Sequence, residues 1–306
     1  MMGILEIKQL YKSFGSREVL CGLDMDVPEH SIFGFVGQNG AGKTTTMKIV
    51  LGLLKSNSGD ITVCGEKVSY GETKTNRHIG YLPDVPEFYG YMKPMEYLKL
   101  CGEITGLSKI QIKTKSEELL SLVGLADEKR KIGGFSRGMK QRLGIAQALL
   151  GEPELLICDE PTSALDPIGR KEILDILLAI KGKTTVVFST HILSDVERIC
   201  DRVAVLHKGK LALCGALSEI KEHHRHNSFT IEFLNQEELS LFADCEELKR
   251  PSINQSRNEN TLTVTVANTK AGGHFLIDVL SKKQITPVKF EMMEPTLESL
   301  FTEVVQ

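Results

Sequence analysis

The chain has 306 residues, of which 41% are hydrophobic and 25% charged, with a net charge of −3. That balance fits a globular protein with a substantial core, one large domain plus something small or two domains. It excludes bulk attraction to nucleic acid or anionic lipid, and no run approaches the about 18 uninterrupted apolar residues of a membrane span. The seven cysteines are scattered, with no C-x-x-C, which fits a reducing compartment better than a disulfide framework or a zinc site. No basic-then-apolar leader precedes Ile4, so a cytoplasmic protein is expected.

Residues 4–10 and 19–27 read as strands around a turn at Phe14-Gly15-Ser16. The Phe14 ring is either a core aromatic at a strand end or an exposed platform for an adenine. Residues 32–36 are a short apolar run with the character of a buried strand. They lead into Gly37-Gln-Asn39-Gly40-Ala41-Gly42-Lys43-Thr44, which fits G-x-x-x-x-G-K-[ST] at every fixed position, with Thr45 next. Met47, Ile49, Val50, Leu51, Leu53 and Leu54 then read as a core-facing helix. Glycines let successive N–H groups curl around one phosphate, and the new helix adds its positive end. Lys43 supplies a point charge for the β/γ-phosphates and the Thr44 hydroxyl a ligand for Mg²⁺.

Residues 60–68 resume strand alternation around a turn at Cys64-Gly65, and 79–82 form a strand stopped by Pro83. Tyr81, Tyr89, Tyr91 and Tyr97 are four of the six tyrosines, clustered around a Pro/Gly-rich loop at 84–98. They point to an interface, or to a loop packed on its own domain. Residues 85–150 form a mainly helical insert, with Ser136 a good N-cap for its last helix. Residues 155–160 are a buried strand ending in Asp159 and Glu160, a costly pairing of like charges that a metal and phosphates at the sheet edge would explain. Asp166 with Pro167 starts a helix to about residue 180. Residues 184–189 are a core strand followed by Thr190 and His191, and Ser194 with Glu197 has the spacing of a capping box. Residues 202–206 and 210–214 form a hairpin. The polar run 223–226 reads as a linker, and residues 227–306 as a small α+β domain with strands at 229–233 and 262–266 and helices at 272–281 and 297–305.

Together, the phosphate loop 37–44, Phe135-Ser136-Arg137-Gly138-Met139, Asp159-Glu160, the loop 163–166 and His191 resemble the ATP-binding subunit of an ABC transporter over about residues 4–216. The resemblance implies an α/β fold: a P-loop NTPase core (1–222) carrying an antiparallel β subdomain and a helical subdomain, plus the small C-terminal domain. It implies ATP and Mg²⁺, with Thr44 and Asp159 on the metal, Glu160 as general base and His191 at the γ-phosphate. It counts Phe14, Gly37, Asn39, Gly40, Ala41, Gly42, Lys43, Thr44, Thr45, Ser136, Gly138 and Asp166 among the nucleotide-binding residues. It also implies a head-to-tail homodimer, or a heterodimer with a second ABC subunit, in which Ser136 and Gly138 of one copy face the phosphate loop of the other. A separately encoded integral-membrane permease would hold the protein at the cytoplasmic face of the membrane. The exporter branch of bacitracin and multidrug types is indicated by the signature variant and by the ending 294–301, with no nucleic acid involved. The other class in the family, ATPases acting on ribosomes or nucleic acid, usually has two such modules or a coiled-coil insert. The chain departs from the family pattern in two places: Asp84 replaces the glutamine after the 79–83 strand, and Phe135-Ser-Arg-Gly-Met139 stands for the signature Leu-Ser-Gly-Gly-Gln, with Arg137 in place of a glycine. A third acid near Asp159 and Glu160 should stay at a distance or bind metal.

Overall fold

The computed structural model describes residues 3–223, 227–250, 253–293 and 296–305. One compact unit takes in the chain to Ser218 together with the residues from Phe301 on, and a second runs from Glu219 to Leu300.

In the first unit, alternation of apolar and polar residues builds an antiparallel sheet. It comprises β1 (Leu5–Phe14), β2 (Arg17–Val27) and, further along the chain, β4 (Ser58–Val63) and β5 (Glu66–Lys67), in the order β2-β1-β4-β5. Ile7 lies opposite both Met25 and Ile61, so the inward side chains of three strands share one core. Between these pieces, β3 (Ile32–Gly37) is buried along its whole length, as a strand covered on both faces must be. It opens into α1 (Lys43–Val50). The helix expected to reach residue 54 ends at Val50. Gly52 takes φ +70° and its N–H donates to Ile49 O, while Leu53 N–H reaches back to Lys48 O, a Schellman stop that leaves Leu53 exposed.

A second, six-stranded sheet holds β3 together with β6 (Ile79–Leu82), β7 (Leu155–Asp159), β8 (Thr185–Thr190), β9 (Arg202–His207) and β10 (Lys210–Ala216). The order is β10-β9-β3-β8-β7-β6, parallel except for the β9–β10 hairpin. Between β6 and β7 lie α2 (Pro94–Ile104), α3 (Lys109–Leu122) and α4 (Arg137–Leu149). Ser108 caps α3 in a capping box with Gln111, and Ser136 caps α4. After β7 comes α5 (Pro167–Ala179), after β8 comes α6 (Leu193–Ile199), and α7 (Leu217–His223) follows β10. The expected Ser194–Glu197 capping box is not formed. Ile192 is the N-cap of α6, its N–H held by Thr190 Oγ1, and Ser194 lies inside the helix accepting a bond from Arg170. The linker residues 224–226 lie outside the described residues.

The second unit runs β11 (Ser228–Glu232), α8 (Gln236–Ala243), β12 (Asn254–Asn258), β13 (Thr261–Thr265), α9 (Thr269–Lys282), β14 (Lys289–Met292), α10 (Leu297–Val305), the last helix ending beyond the unit's Leu300 boundary. The antiparallel order β12-β13-β11-β14 gives a split β-α-β arrangement. Phe229, Ile231, Leu262 and Val264 form its core with α8 and α9. α9 lies so close to the sheet that a Cβ on Gly272 would come within 2.4 Å of Val266. β12 went unforeseen because its five residues are polar and all exposed, with no alternation to read. α8 and β14 were likewise unforeseen. Among the described residues no helix is long and apolar enough to cross a membrane.

Candidate active site

The parallel strands bring their C-terminal ends to one edge of the central sheet. Val36 stands opposite Thr190, Leu82 opposite Cys158 and Asp159 opposite Ser189. Loops leaving this edge carry most of the residues singled out above. The phosphate loop depends on backbone only glycine adopts freely: Gly42 has φ +116°, and a Cβ there would meet Leu20 Cδ2 at 2.8 Å and Val19 O at 3.1 Å. Gly42 is also the N-cap of α1, with no side chain capping the helix, so its first turn presents N–H groups and positive dipole to an anion.

Lys43 is 5% exposed. Its Nζ donates to Gly37 O at 2.6 Å and lies 3.1 Å from Glu160 Oε1. The other Glu160 oxygen is 2.9 Å from His191 Nδ1, so ammonium, carboxylate and imidazole form one chain. Glu160 takes φ +50°, a left-handed conformation a glutamate adopts only when its surroundings hold it there. The neighbouring strand does so: Glu160 N–H donates to the Ser189 carbonyl and hydroxyl oxygens, both at 3.1 Å. The Ser189 hydroxyl in turn donates to Asp159 Oδ1 at 2.6 Å, and Asp159 is 2% exposed.

A cavity of about 640 Å³ opens over these groups, lined among others by Phe14, Asn39, Thr44, Thr45, Asp84 and His191, with Gly40, Gly42, Lys43 and Glu160. Phe14 is 51% exposed, with Lys12 Nζ 4.7 Å above its ring, so it is a rim aromatic and not a core one. Gly37 and Ala41 shape the loop from behind, Gly37 through its carbonyl to Lys43 and Ala41 through an N–H to Gln38 O. Ser136, Gly138 and Asp166 are not brought to this cavity. They line another of about 350 Å³ that shares no residue with it. There Ser136 accepts from Met139 N–H at 3.2 Å and Asp166 from Gly169 N–H at 3.1 Å, both as helix caps.

Asp84 does not stay at a distance from the other two acids, and a guanidinium faces it. It lines the phosphate cavity, and its Oδ1 accepts from Arg137 Nη2 at 3.0 Å. Its carbonyl accepts from the buried Gln141 side chain at 2.6 Å. Burial pushes the Asp84 carboxyl above its ordinary range, Arg137 pulls it down, and Asp159 and Glu160 push it up again. Asp84 also borders a groove of about 470 Å³ with Val85, Phe88, Ile132 and Lys140. Beside it Tyr89 and Tyr91 are more than half exposed. Tyr97 is buried with its hydroxyl on Gln147, and burial holds the Tyr81 hydroxyl up at about 12. Sequence reading missed Ser189, Gln141 and Arg17, which also lines the phosphate cavity. Only Ser189 had a signal, a polar residue ending a core strand just before His191.

A family model described as ABC transporter matches residues 20–163, and one described as the C-terminal domain of DrrA1-3-like ATP-binding proteins matches residues 215–305. The uncharacterized ABC transporter ATP-binding protein YxlF of Bacillus subtilis is 40% identical over 303 residues, 99% of each chain. The chain belongs to the ATP-binding subunits of ABC transporters. This ABC subunit is thus an ATPase with the P-loop fold. The bacitracin transport ATP-binding protein BcrA of Bacillus licheniformis is 43% identical to it over 228 residues, 74% of each chain. The structure of cbiO1 from Clostridium perfringens, described as part of the transporter complex cbiONQ, aligns with a TM-score of 0.66 and 27% identity, over 72% of this chain and 91% of that one. ATPase subunits of this family work with separate membrane permeases.

Proposed function

We propose that two copies of this ATPase, or one copy and a related subunit, close head-to-tail over two ATP molecules and drive a separately encoded export permease from the cytoplasmic face of the membrane. The observation carrying the sandwich is the separation of Ser136, Gly138 and Asp166 from Lys43 within one chain. A serine-capped helix N-terminus is an anion site, and although its neighbour Arg137 reaches Asp84 at the mouth of the phosphate cavity, Ser136 and Gly138 line a separate cavity where the phosphate loop of a second chain can meet them.

Lys43 and the loop N–H groups hold the β/γ-phosphates, and Phe14 stacks on the base. Thr44 and the buried Asp159 offer the hard oxygen donors that Mg²⁺ takes, and Mg²⁺ when bound neutralises charge on the phosphates. Glu160 takes a proton from the attacking water, and His191, bonded to its Oε2, orients it and stabilises the γ-phosphate. The groove beside Asp84, flanked by Tyr89 and Tyr91, is the docking surface for the permease. The bacitracin relative supports a drug, peptide antibiotic or lipid-like substrate.

Light scattering of Glu160→Gln with ATP and Mg²⁺ tests the sandwich: a dimer is expected, and Ser136→Arg in the same background should return it to monomer while ATP stays bound. A Glu160→Gln monomer with ATP demonstrably bound would sink the sandwich. Co-purification with a chain of about six apolar segments tests the permease.

A further inference from the structure

The opposite edge of the central sheet holds a second convergence of reactive side chains. β6 and β7 are parallel neighbours with Ile79 opposite Leu155, and His78 and Glu154 immediately precede them. The turn between β4 and β5 brings Cys64 to the same place. One donor atom from each of Cys64, His78 and Glu154 lies within 4.8 Å of the other two. Asp159, at the far end of β7, marks the nucleotide edge, so the two places stand a strand's length apart, roughly 15 Å.

We propose that Cys64, His78 and Glu154 form a binding site for a zinc-class divalent transition metal, independent of the nucleotide site. The donor mixture decides the class. Thiolate, imidazole and carboxylate together are a zinc set, with three protein ligands leaving a fourth position for water. Mg²⁺ and Ca²⁺ take oxygen alone. Tetrahedral coordination brings donors to about 3.3–3.8 Å of one another; His78 Nδ1 and Glu154 Oε1 already stand 3.1 Å apart, so the closing of up to roughly 1 Å concerns the distances to Cys64. The half-exposed Glu154 side chain has the freedom to do it. The other two are held by their surroundings: Cys64 N–H donates to Ile4 O at 2.8 Å, and the His78 side chain is only 18% exposed.

The proton balance is explicit. Arg77 Nε lies 2.9 Å from His78 Nε2, and a guanidinium can only donate, so the neutral ring carries its proton on Nδ1, 3.1 Å from Glu154 Oε1. A metal ion on Nδ1 takes that proton's place. The proton moves to Nε2, so the hydrogen bond from Arg77 Nε breaks and that side chain turns away, keeping its other partner, Glu66. Cys64 forms a sulfur–metal bond and loses its S–H proton to solvent, so one proton leaves per ion bound. The ion then ties the β4–β5 turn to the starts of β6 and β7, joining the two sheets of the ATPase unit. The ligands lie far apart along the chain, so no spacing pattern announces them.

Chelator-treated full-length protein, titrated with Co²⁺ and followed by absorption, is the test. One equivalent should produce the thiolate-to-cobalt charge-transfer band, one equivalent of Zn²⁺ should abolish it, and Zn²⁺ should raise the unfolding temperature. Cys64→Ser should lose the band, and Glu154→Gln, a change at an exposed side chain, should weaken Co²⁺ binding at least tenfold, both with ATP binding unchanged. Absence of a thiolate band at stoichiometric Co²⁺, or a band unchanged in Cys64→Ser or in Glu154→Gln, overturns the proposal.

Discussion

Arg137 Nη2 stands 3.0 Å from Asp84 Oδ1, so the two charges that depart from the family pattern face each other in one chain. Their side chains are 40% and 47% exposed. A pair so wetted is worth about 0.2–1 kcal/mol, yet it joins the loop after β6 to the first turn of α4, at the mouth of the phosphate cavity.

Asp84→Asn should change basal ATP hydrolysis by less than about tenfold, under about 1.4 kcal/mol in the transition state. Arg137→Gln should cost more, because it leaves a carboxylate facing the charges of Asp159 and Glu160 with only the weaker pull of His191 opposing its burial. The double variant should recover most of that loss, which a double-mutant cycle on ATPase rates measures. Arg137→Gln should also raise the Asp84 carboxyl pKa further, read by carbon NMR titration. Should Asp84→Asn abolish hydrolysis and blunt the Mg²⁺ dependence, Asp84 is a metal ligand instead.

Glu160→Gln should lower hydrolysis by about 10² or more while nucleotide still binds, since the amide cannot accept the proton of water. Single-turnover hydrolysis set beside equilibrium binding checks both halves. Equal loss in the two would mean that Glu160 serves binding and not chemistry.

Lys43→Ala should weaken ATP binding itself, because the ammonium contacts phosphates in the ground state. Fluorescent-nucleotide titration is the measurement, and an unchanged affinity would place Lys43 away from the phosphates. Folding should survive, since Glu160 keeps His191 as a partner.

Ser189→Ala removes one hydroxyl that serves two residues, donating to Asp159 and accepting from Glu160 N–H. Leaving a buried carboxylate oxygen without its donor should cost about 1–3 kcal/mol of stability, seen as a lower denaturation midpoint. ATPase activity should fall as well, because Glu160 loses one of the two bonds holding its left-handed backbone. Wild-type stability together with wild-type turnover would show that Ser189 positions nothing.

Much of the nucleotide edge was legible in the sequence because its signals are local. The phosphate loop, the Asp159-Glu160 ending of an apolar run and His191 each sit within a few residues of a strand whose hydrophobicity announces it. The order of the strands was not legible, since a fully buried run such as 32–36 carries no mark of which strands flank it. The Asp84–Arg137 contact was missed for a related reason: each residue reads as a departure from a motif, and only the packing of α4 beside the loop after β6 brings the two together. Ser194 misled because its spacing to Glu197 copies a capping box, whereas Thr190 takes the N–H of Ile192 and moves the helix start. In the second unit the paired glycines of α9 look like poor helix formers, and the close approach of Val266 and Phe229 accounts for them.

If Glu160 is the base and Lys43 the phosphate ligand, as proposed, their contact makes the base a rival of the substrate it serves. One ammonium, 3.1 Å from a carboxylate oxygen, is the same group a phosphate must claim. On the proposed roles of these two residues, incoming nucleotide displaces Glu160 from its cation, which weakens ATP binding and at the same stroke frees Glu160 to accept a proton. Affinity is surrendered in return for timing: the group that attacks with water is released by the arrival of something to attack. Glu160→Gln, which removes the rival's charge, should accordingly bind ATP more tightly than the natural chain.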